Sequence, residues 1–418
     1  MGTGIQSIIR NGAILMGSNW VEIGLRALYL VAITRYLGSE FYGIWAYGAA
    51  AYGLAIGLIG FGFDTLLPIR LGASKRDAAG FAGVTLTLRL GLLALAGAGL
   101  AAYAFLGEPA GTTRLILFAL IPALCGRGLS LWARVLFLGY EQVGTYVKMA
   151  ATLRLAEVVC GVALLVSGGG LLGIVIVHSL AWVTEAAIGM RLVRSRLMPC
   201  RPRFDLHQAA ELLRHGAVLG LATALTAWLA AGPLLLLRHV DGDLAKVGQL
   251  GLSLQITMIL VASVQPFLAA ALPVLSRSAA RGDPRVGSFG KVTALMALLA
   301  SGVAAGLGFT LGPPLMTWAF GPEFALSGKL LGPCLLIGGL IVAPSGYMQI
   351  LVLRGRRWPG AIAGGCGGLV LLVALPPAVA HWGVNGAAFA TGMAWLVRAV
   401  ILMALAMTRS DTDTQIER

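Results

Sequence analysis

The feature that most constrains this chain is a succession of long, continuous apolar stretches, since a helix needs about 20 such residues to cross a bilayer. Twelve stretches qualify, at approximately 13–36, 43–69, 81–106, 114–138, 149–167, 171–190, 216–238, 247–275, 291–313, 329–352, 360–380 and 386–408. Their continuity excludes the alternating strands of an outer-membrane barrel. Only 11% of the 418 residues are charged, against about 25% in soluble domains, and the twelve runs use up the chain. No separate soluble catalytic domain of any size fits. The 58 glycines suit helices that pack closely in lipid.

Charge sets the orientation. With twelve spans, 20 of the 31 Lys and Arg residues fall in connections on one side and 5 on the other, which places both termini in the cytoplasm. The net charge of +14 would suggest nucleic acid in a soluble protein. Here no loop carries a basic patch interleaved with aromatics, so no nucleic-acid partner is expected. The fifth and sixth runs are parted only by Gly168-Gly169-Gly170, and a single kinked helix there would invert everything after it. The charge count favours two spans.

The longest break, 191–215, carries six arginines and divides the runs into two sets of six. The expected layout is a six-helix lobe over 1–190, a basic cytoplasmic connection over 191–215, a second lobe over 216–408 and a cytoplasmic tail over 409–418. An even number of spans per half predicts an all-α membrane protein whose lobes are related by a parallel pseudo-two-fold repeat. A trace of it survives: Gly173–Ala186 overlays Gly386–Ala399, with Gly173/Gly386, Ala181/Ala394, Trp182/Trp395 and Ala186/Ala399 coinciding.

Five cysteines, Cys125, Cys160, Cys200, Cys334 and Cys366, are scattered without a C-x-x-C, so neither a zinc site nor a disulfide framework is expected. No nucleotide-binding G-x-x-x-x-G-K-[ST] occurs, and neither a cofactor nor a metal is anticipated. The first run holds Glu22 and Arg26 and lacks an A-x-A-like cleavage site, which reads as an uncleaved span.

Short motifs recur along the chain in order. Arg35-Tyr36-Leu37-Gly38-Ser39-Glu40-Phe41-Tyr42-Gly43 follows the first run, and Gly60-Phe61-Gly62-Phe63-Asp64 ends the second. Ala245-Lys246-Val247-Gly248, Leu272–Arg277, Phe320-Gly321-Pro322-Glu323-Phe324 and Gly383-Val384-Asn385-Gly386-Ala387-Ala388 flank later runs. Together they resemble the oligosaccharide flippase family, within the superfamily that also holds multidrug and toxin extruders. The resemblance implies a V-shaped pair of lobes in a bacterial inner membrane. It implies alternating access that carries undecaprenyl-diphosphate-linked oligosaccharide, the precursor of O-antigen or exopolysaccharide, to the outer face. It also implies a non-enzymatic role beside the glycosyltransferases and glycan polymerase of the same pathway. Twelve spans argue against the lipid II flippase, which usually has fourteen.

Ionisable residues inside spans are costly and face a cavity or a partner. They concentrate in the first half: Glu22, Arg26, Asp64, Arg89, Arg127, Arg134, Arg154, Glu157, His178 and Glu185, against Arg398 alone in the second. Asn19, Glu22, Arg26 and Tyr29 form one helical stripe, and Arg127, Ser130 and Arg134 another. Guanidinium forks match diphosphate oxygens bidentately, so Arg26, Arg127, Arg134, Arg89 and Arg154, with Glu22, Asn19 and Ser130, are the candidate headgroup residues. Arg89, Arg134 and Arg154 also lie near enough to the cytoplasmic ends to reach the interface, and Glu22–Arg26 can neutralise itself as an i,i+4 pair. Glu157, His178 and Glu185 are candidates for ion or proton coupling. For His178, a packing role competes with a relay to Glu185. Asp64 reads as a helix-end pairing residue. Pro266 and Pro273 make the eighth run a hinge or an inert kink. Two rivals remain: a cation-coupled drug extruder, which the arginine excess disfavours, and a membrane-embedded glycan polymerase or ligase, which would want a long outer loop.

Overall fold

The computed structural model describes residues 2–73, 78–280 and 285–408; within these, the side chains of 2–16, 18, 19, 65, 69, 72, 73, 269, 270, 272–274, 276–280, 285 and 286 lie outside the description. The described chain is helical throughout. In order the helices are α1 (Gly2–Gly60), α2 (Phe63–Ala73), α3 (Ala78–Gly107), α4 (Thr112–Ala119), α5 (Ile121–Gly139), α6 (Val143–Val166) and α7 (Gly170–Leu192). There follow α8 (Leu206–Asp241), α9 (Leu244–Ala280), α10 (Arg285–Phe320), α11 (Ala325–Val342), α12 (Ser345–Leu353) and α13 (Trp358–Met407).

Ten helical stretches among the described residues are long and apolar enough to cross a membrane. Two of them are double. In α1 the backbone leaves the helical region at Gly38, with φ 73° and ψ −179°, and in α13 at Gly383, with φ 57° and ψ −136°. A positive φ is strained for any residue with a Cβ, so the helix breaks where glycine permits it. Each double helix, divided at its glycine, offers two segments, so the ten stretches among the described residues accommodate the twelve expected spans. Ser167-Gly168-Gly169 does separate α6 from α7, with Gly168 at φ +83°. Pro122 and Pro344 mark the α4–α5 and α11–α12 junctions inside single crossings.

The chain forms two compact units, 1–227 and 228–418. Their boundary falls inside α8. In the first unit a buried cluster joins α2, α3, α5 and α6 through Phe63, Leu67, Phe81, Trp132, Phe137 and Tyr146. The connection after α7 joins this core. A π-helical turn over Val193–Leu197 leads to an extended stretch in which Met198 and Cys200 are buried, Cys200 being 1% exposed. The Arg203 amide donates to the Gly83 carbonyl at 3.2 Å, and the Thr87 hydroxyl donates to the Arg203 carbonyl at 2.9 Å. Asp205 then accepts from the Gln208 amide at 3.0 Å and caps α8. In the second unit the core gathers Ala294 of α10, Ala343 at the end of α11, Tyr347 and Leu351 of α12, and Ala363 and Leu402 of α13.

Candidate functional site

The polar interior of the first unit is built on Arg154. On α6 its side chain pairs with Glu157 one turn later, and its Nη2 donates to Glu185 Oε2 of α7 at 2.9 Å. The guanidinium also lies 3.8 Å from the Trp182 ring. All three charged side chains are 10% exposed or less, so each carboxylate offsets what burying the arginine costs. Glu185 is held from a third helix: its Oε1 accepts from the Ser130 hydroxyl of α5 and from the Tyr146 hydroxyl at 3.1 Å. Gly126 lets α5 approach so closely, since a Cβ there would stand 2.5 Å from the Trp182 backbone.

Glu157 has a second partner. His178 Nδ1 of α7 lies 2.6 Å from Glu157 Oε1, and the imidazole stands edge-on to Trp45, Tyr52 and Trp182, at centroid distances of 5.4, 5.8 and 6.2 Å. The imidazole therefore meets Glu157 across the α6–α7 interface, while Glu185 is engaged by Arg154, Ser130 and Tyr146. Tyr29 of α1 is buried close by, with no hydrogen-bond partner for its hydroxyl.

Arg127 stands apart from these pairs. Its guanidinium carbon is 5.4 Å from the Tyr52 ring and 5.1 Å from the Trp182 ring, and its Nη1 is 3.5 Å from the Tyr52 hydroxyl. Its Nε is buried without an acceptor. No carboxylate among the described residues pairs with it. Two aromatic faces stabilise the cation by about 1–2 kcal/mol each when desolvated, and the hydrogen-bonding fork stays open to an added anion.

The other candidates fall in three places. Glu22 and Arg26 pair at 2.6 Å on α1, with side chains 33% and 51% exposed. Glu22 lines a small open cleft together with Leu25, Arg134, Tyr146, Val147 and Arg154. Arg134 is exposed in it. Arg89 is 1% exposed and pairs with Asp64 of α2, so a partner on the next helix, and not the interface, holds its charge. Arg154 is buried for the same reason. The Asn19 and Pro273 side chains lie outside the described residues, and α9 runs unbroken through Pro266 and Pro273.

Sequence reading missed Tyr146, Trp45 and Tyr52 as members of this cluster. Tyr146 precedes the fifth apolar run, and Trp45 and Tyr52 look like ordinary apolar residues of the second. Trp182 was visible only as a match to Trp395. Among the described residues no group of His, Cys, Asp and Glu could hold a metal ion.

This is a multi-pass membrane protein with a charged interior in one of two helical units, and the fold is that of known transporters. Over 98% of this chain and 90% of that chain, it is similar to the lipid II flippase MurJ in an inward closed conformation, with a TM-score of 0.73 and 12% identity. A eukaryotic MATE transporter, AtDTX14, aligns over 99% of this chain and 98% of that one, with a TM-score of 0.67 and 16% identity. A MOP superfamily transporter from Pyrococcus furiosus, described as having a binding pocket of reverse polarity, aligns over 97% and 95%, with a TM-score of 0.58 and 16% identity. No curated protein matches the chain in sequence. Residues 8–279 match the family model of polysaccharide biosynthesis proteins. The chain belongs to that family, with the fold of the MOP superfamily flippases and extruders.

Proposed function

We propose that this protein flips a lipid-linked oligosaccharide diphosphate from the inner to the outer face of a bacterial cytoplasmic membrane by alternating access. The observation that carries the reading is Arg127, a guanidinium set between Tyr52 and Trp182 with no carboxylate partner among the described residues, whereas Arg154 has two. An arginine kept unpaired inside a membrane helix is costly unless a ligand supplies the counter-charge. A diphosphate matches its planar fork. Membership of the polysaccharide biosynthesis family supports a glycan as the cargo. Arg134 serves at the cleft, where its exposed charge attracts the headgroup without trapping it, and Glu22 and Arg26 neutralise each other at its edge. The His178–Glu157 contact is the candidate proton-coupling element, because protonation of either group changes the charge around Arg154. Both termini and the 191–215 connection face the cytoplasm, and the glycosyltransferases and polymerase of the same pathway are the expected partners.

A second reading, the cation-coupled extruder, draws support from the MATE-like fold and from Glu157 and Glu185. Both carboxylates are engaged by Arg154, which leaves neither free for a cationic drug.

Arg127→Ala should abolish surface glycan in a strain lacking the native protein, at unchanged membrane abundance. Arg127→Lys should retain part of it, because the charge survives and the fork does not. Arg127→Glu should be at least as damaging as Ala. Wild-type export by the Ala variant would remove Arg127 as the phosphate anchor.

A further inference from the structure

Superposing the two halves by residue number, at the spacing that aligns Trp182 with Trp395, places Glu185 on Arg398 and Arg154 on Gly367. The structure reproduces this correspondence locally. In the first unit, Arg154 of α6 stacks on Trp182 and bonds to Glu185 of α7. In the second, a Cβ on Gly367 would lie 3.3 Å from Arg398 Cβ, so the equivalent backbones meet across the two halves of α13. Arg398 stacks on Trp395 at 5.1 Å, and Trp395 is 2% exposed. The guanidinium–tryptophan stack is thus present in both units, with the cation supplied from the opposite helix of the pair.

The counter-charge is what differs. Arg154 has two carboxylates. Arg398 has no ion pair or hydrogen bond among the described residues; its Nε is buried without an acceptor, as is that of Arg154, so the carboxylates alone set the two apart. The sequence offers none nearby: no Asp or Glu stands between Glu323 and Asp411, which excludes a carboxylate on α11, α12 or α13. Arg398 is also deep. It stands nine residues before Met407, the end of α13, about 14 Å along the helix at 1.5 Å per residue. An arginine side chain spans roughly half that distance, so Arg398 does not reach the interface by extension along its own helix.

We infer that Trp395 and Arg398 form a second anion site, within the second unit, that takes the phosphate ester of a lipid-linked substrate in transit. The inference rests on the proposed lipid-diphosphate function and deepens it. Trp395 fixes one face of the guanidinium, and the missing acid at the Gly367 position leaves the fork for a phosphate. The same chemistry could come from a resident phospholipid. Depth favours the moving substrate, since a phospholipid keeps its headgroup at the interface.

The test uses the full chain purified in detergent, with farnesyl diphosphate as probe, farnesol as its neutral counterpart and phosphatidylglycerol as the resident-lipid competitor. Arg398→Gln should weaken farnesyl diphosphate binding about tenfold, and Arg398→Lys less, with farnesol binding unchanged. Combining Arg398→Gln with Arg127→Gln should weaken it beyond either single change, and excess phosphatidylglycerol should not displace the probe. If Arg127→Gln weakens binding and Arg398→Gln and Arg398→Lys do not, the second site is overturned while the proposed function stands. Displacement by phosphatidylglycerol at equal concentration would overturn the transit role in favour of a resident lipid. If the wild-type protein fails to distinguish farnesyl diphosphate from farnesol, the diphosphate reading fails and takes this inference with it. Should Arg398→Gln not fold, Arg398→Lys and Trp395→Leu serve in its place, each expected to weaken the probe and to leave farnesol unaffected.

Discussion

Trp182 and Trp395 match in sequence position and each carries an arginine against its ring, Arg154 from the neighbouring helix at Trp182 and Arg398 from the same helix at Trp395, with Arg127 as a second arginine at Trp182. Arg154 and Arg398 differ most in their partners. Around Trp182, Arg154 is closed into a network of Glu157, Glu185, Ser130, Tyr146 and His178 spanning three helices. Around Trp395 the arginine has no ion pair or hydrogen bond among the described residues. The contrast teaches that a buried guanidinium can serve two ends on one scaffold. Closed by carboxylates, it ties helices together; left open, it waits for a counter-ion from outside the chain.

The largest test of this contrast is stability. Glu185→Ala should cost the first unit about 3–5 kcal/mol, because it strips a buried arginine of one of its two carboxylates and removes an acceptor shared by the Ser130 and Tyr146 hydroxyls. Arg398→Gln breaks no pair and removes an unpaired buried charge, so it should leave stability unchanged or raise it. Chemical denaturation of both variants in detergent reads the difference. Equal losses would mean that Arg398 has a structural partner after all.

A smaller effect separates buried from exposed pairs within the first unit. Glu22 and Arg26 are each at least a third exposed, so exchanging them (Glu22→Arg with Arg26→Glu) should change stability by less than about 1 kcal/mol and leave glycan export intact. Loss of export at normal abundance would add Arg26 to the headgroup anchors.

The smallest expected signal concerns the connection. Burial in the apolar core pushes the Cys200 thiol up to about 11, so at pH 7 it is overwhelmingly protonated as well as covered. Reactivity would be lost below that value and recovered as pH rises through it, and the native protein should resist maleimides from either side of the membrane. Cys200 is therefore unsuited to report orientation. Phe204 is 87% exposed, and Phe204→Cys should label in opened vesicles and not in intact cells. Asp243→Cys should label already in intact cells. Labelling of Phe204→Cys from outside would reverse the assigned topology. A reporter near 284 falls outside the described residues.

The membrane-length helices were legible because each requires a long apolar run, and that requirement is written residue by residue. The glycines at 38 and 383 were legible too, inside turn motifs flanking those runs. Partners were not. Arg154 and Glu185 are 31 residues apart on different helices, and no periodicity within one helix says which face meets which. For the same reason Arg89 looked free to reach the interface, whereas Asp64 on α2 holds it inside. Arg127 could be singled out from sequence because its distinguishing property is a lack, the absence of an acid one turn away on its own helix. The aromatic faces that receive it could not be read that way, since an aromatic in an apolar run is ordinary.

Helix α8 begins in one compact unit and ends in the other, with the boundary at 227/228 and no loop between Leu206 and Asp241. The units are therefore not modules in the sense a gene could use. A break in the coding sequence at the extended stretch before α8 would hand the second fragment some twenty residues whose glycines, Gly216 and Gly220, fit only against Phe61 of the first. A break after Asp241 would strand Trp228 and Gly232, which pack on Gly368 and Leu371. Split-gene expression, fragment complementation and lobe swapping between relatives all meet the same obstacle. Helix α8 ties the two units into one covalent and packing whole.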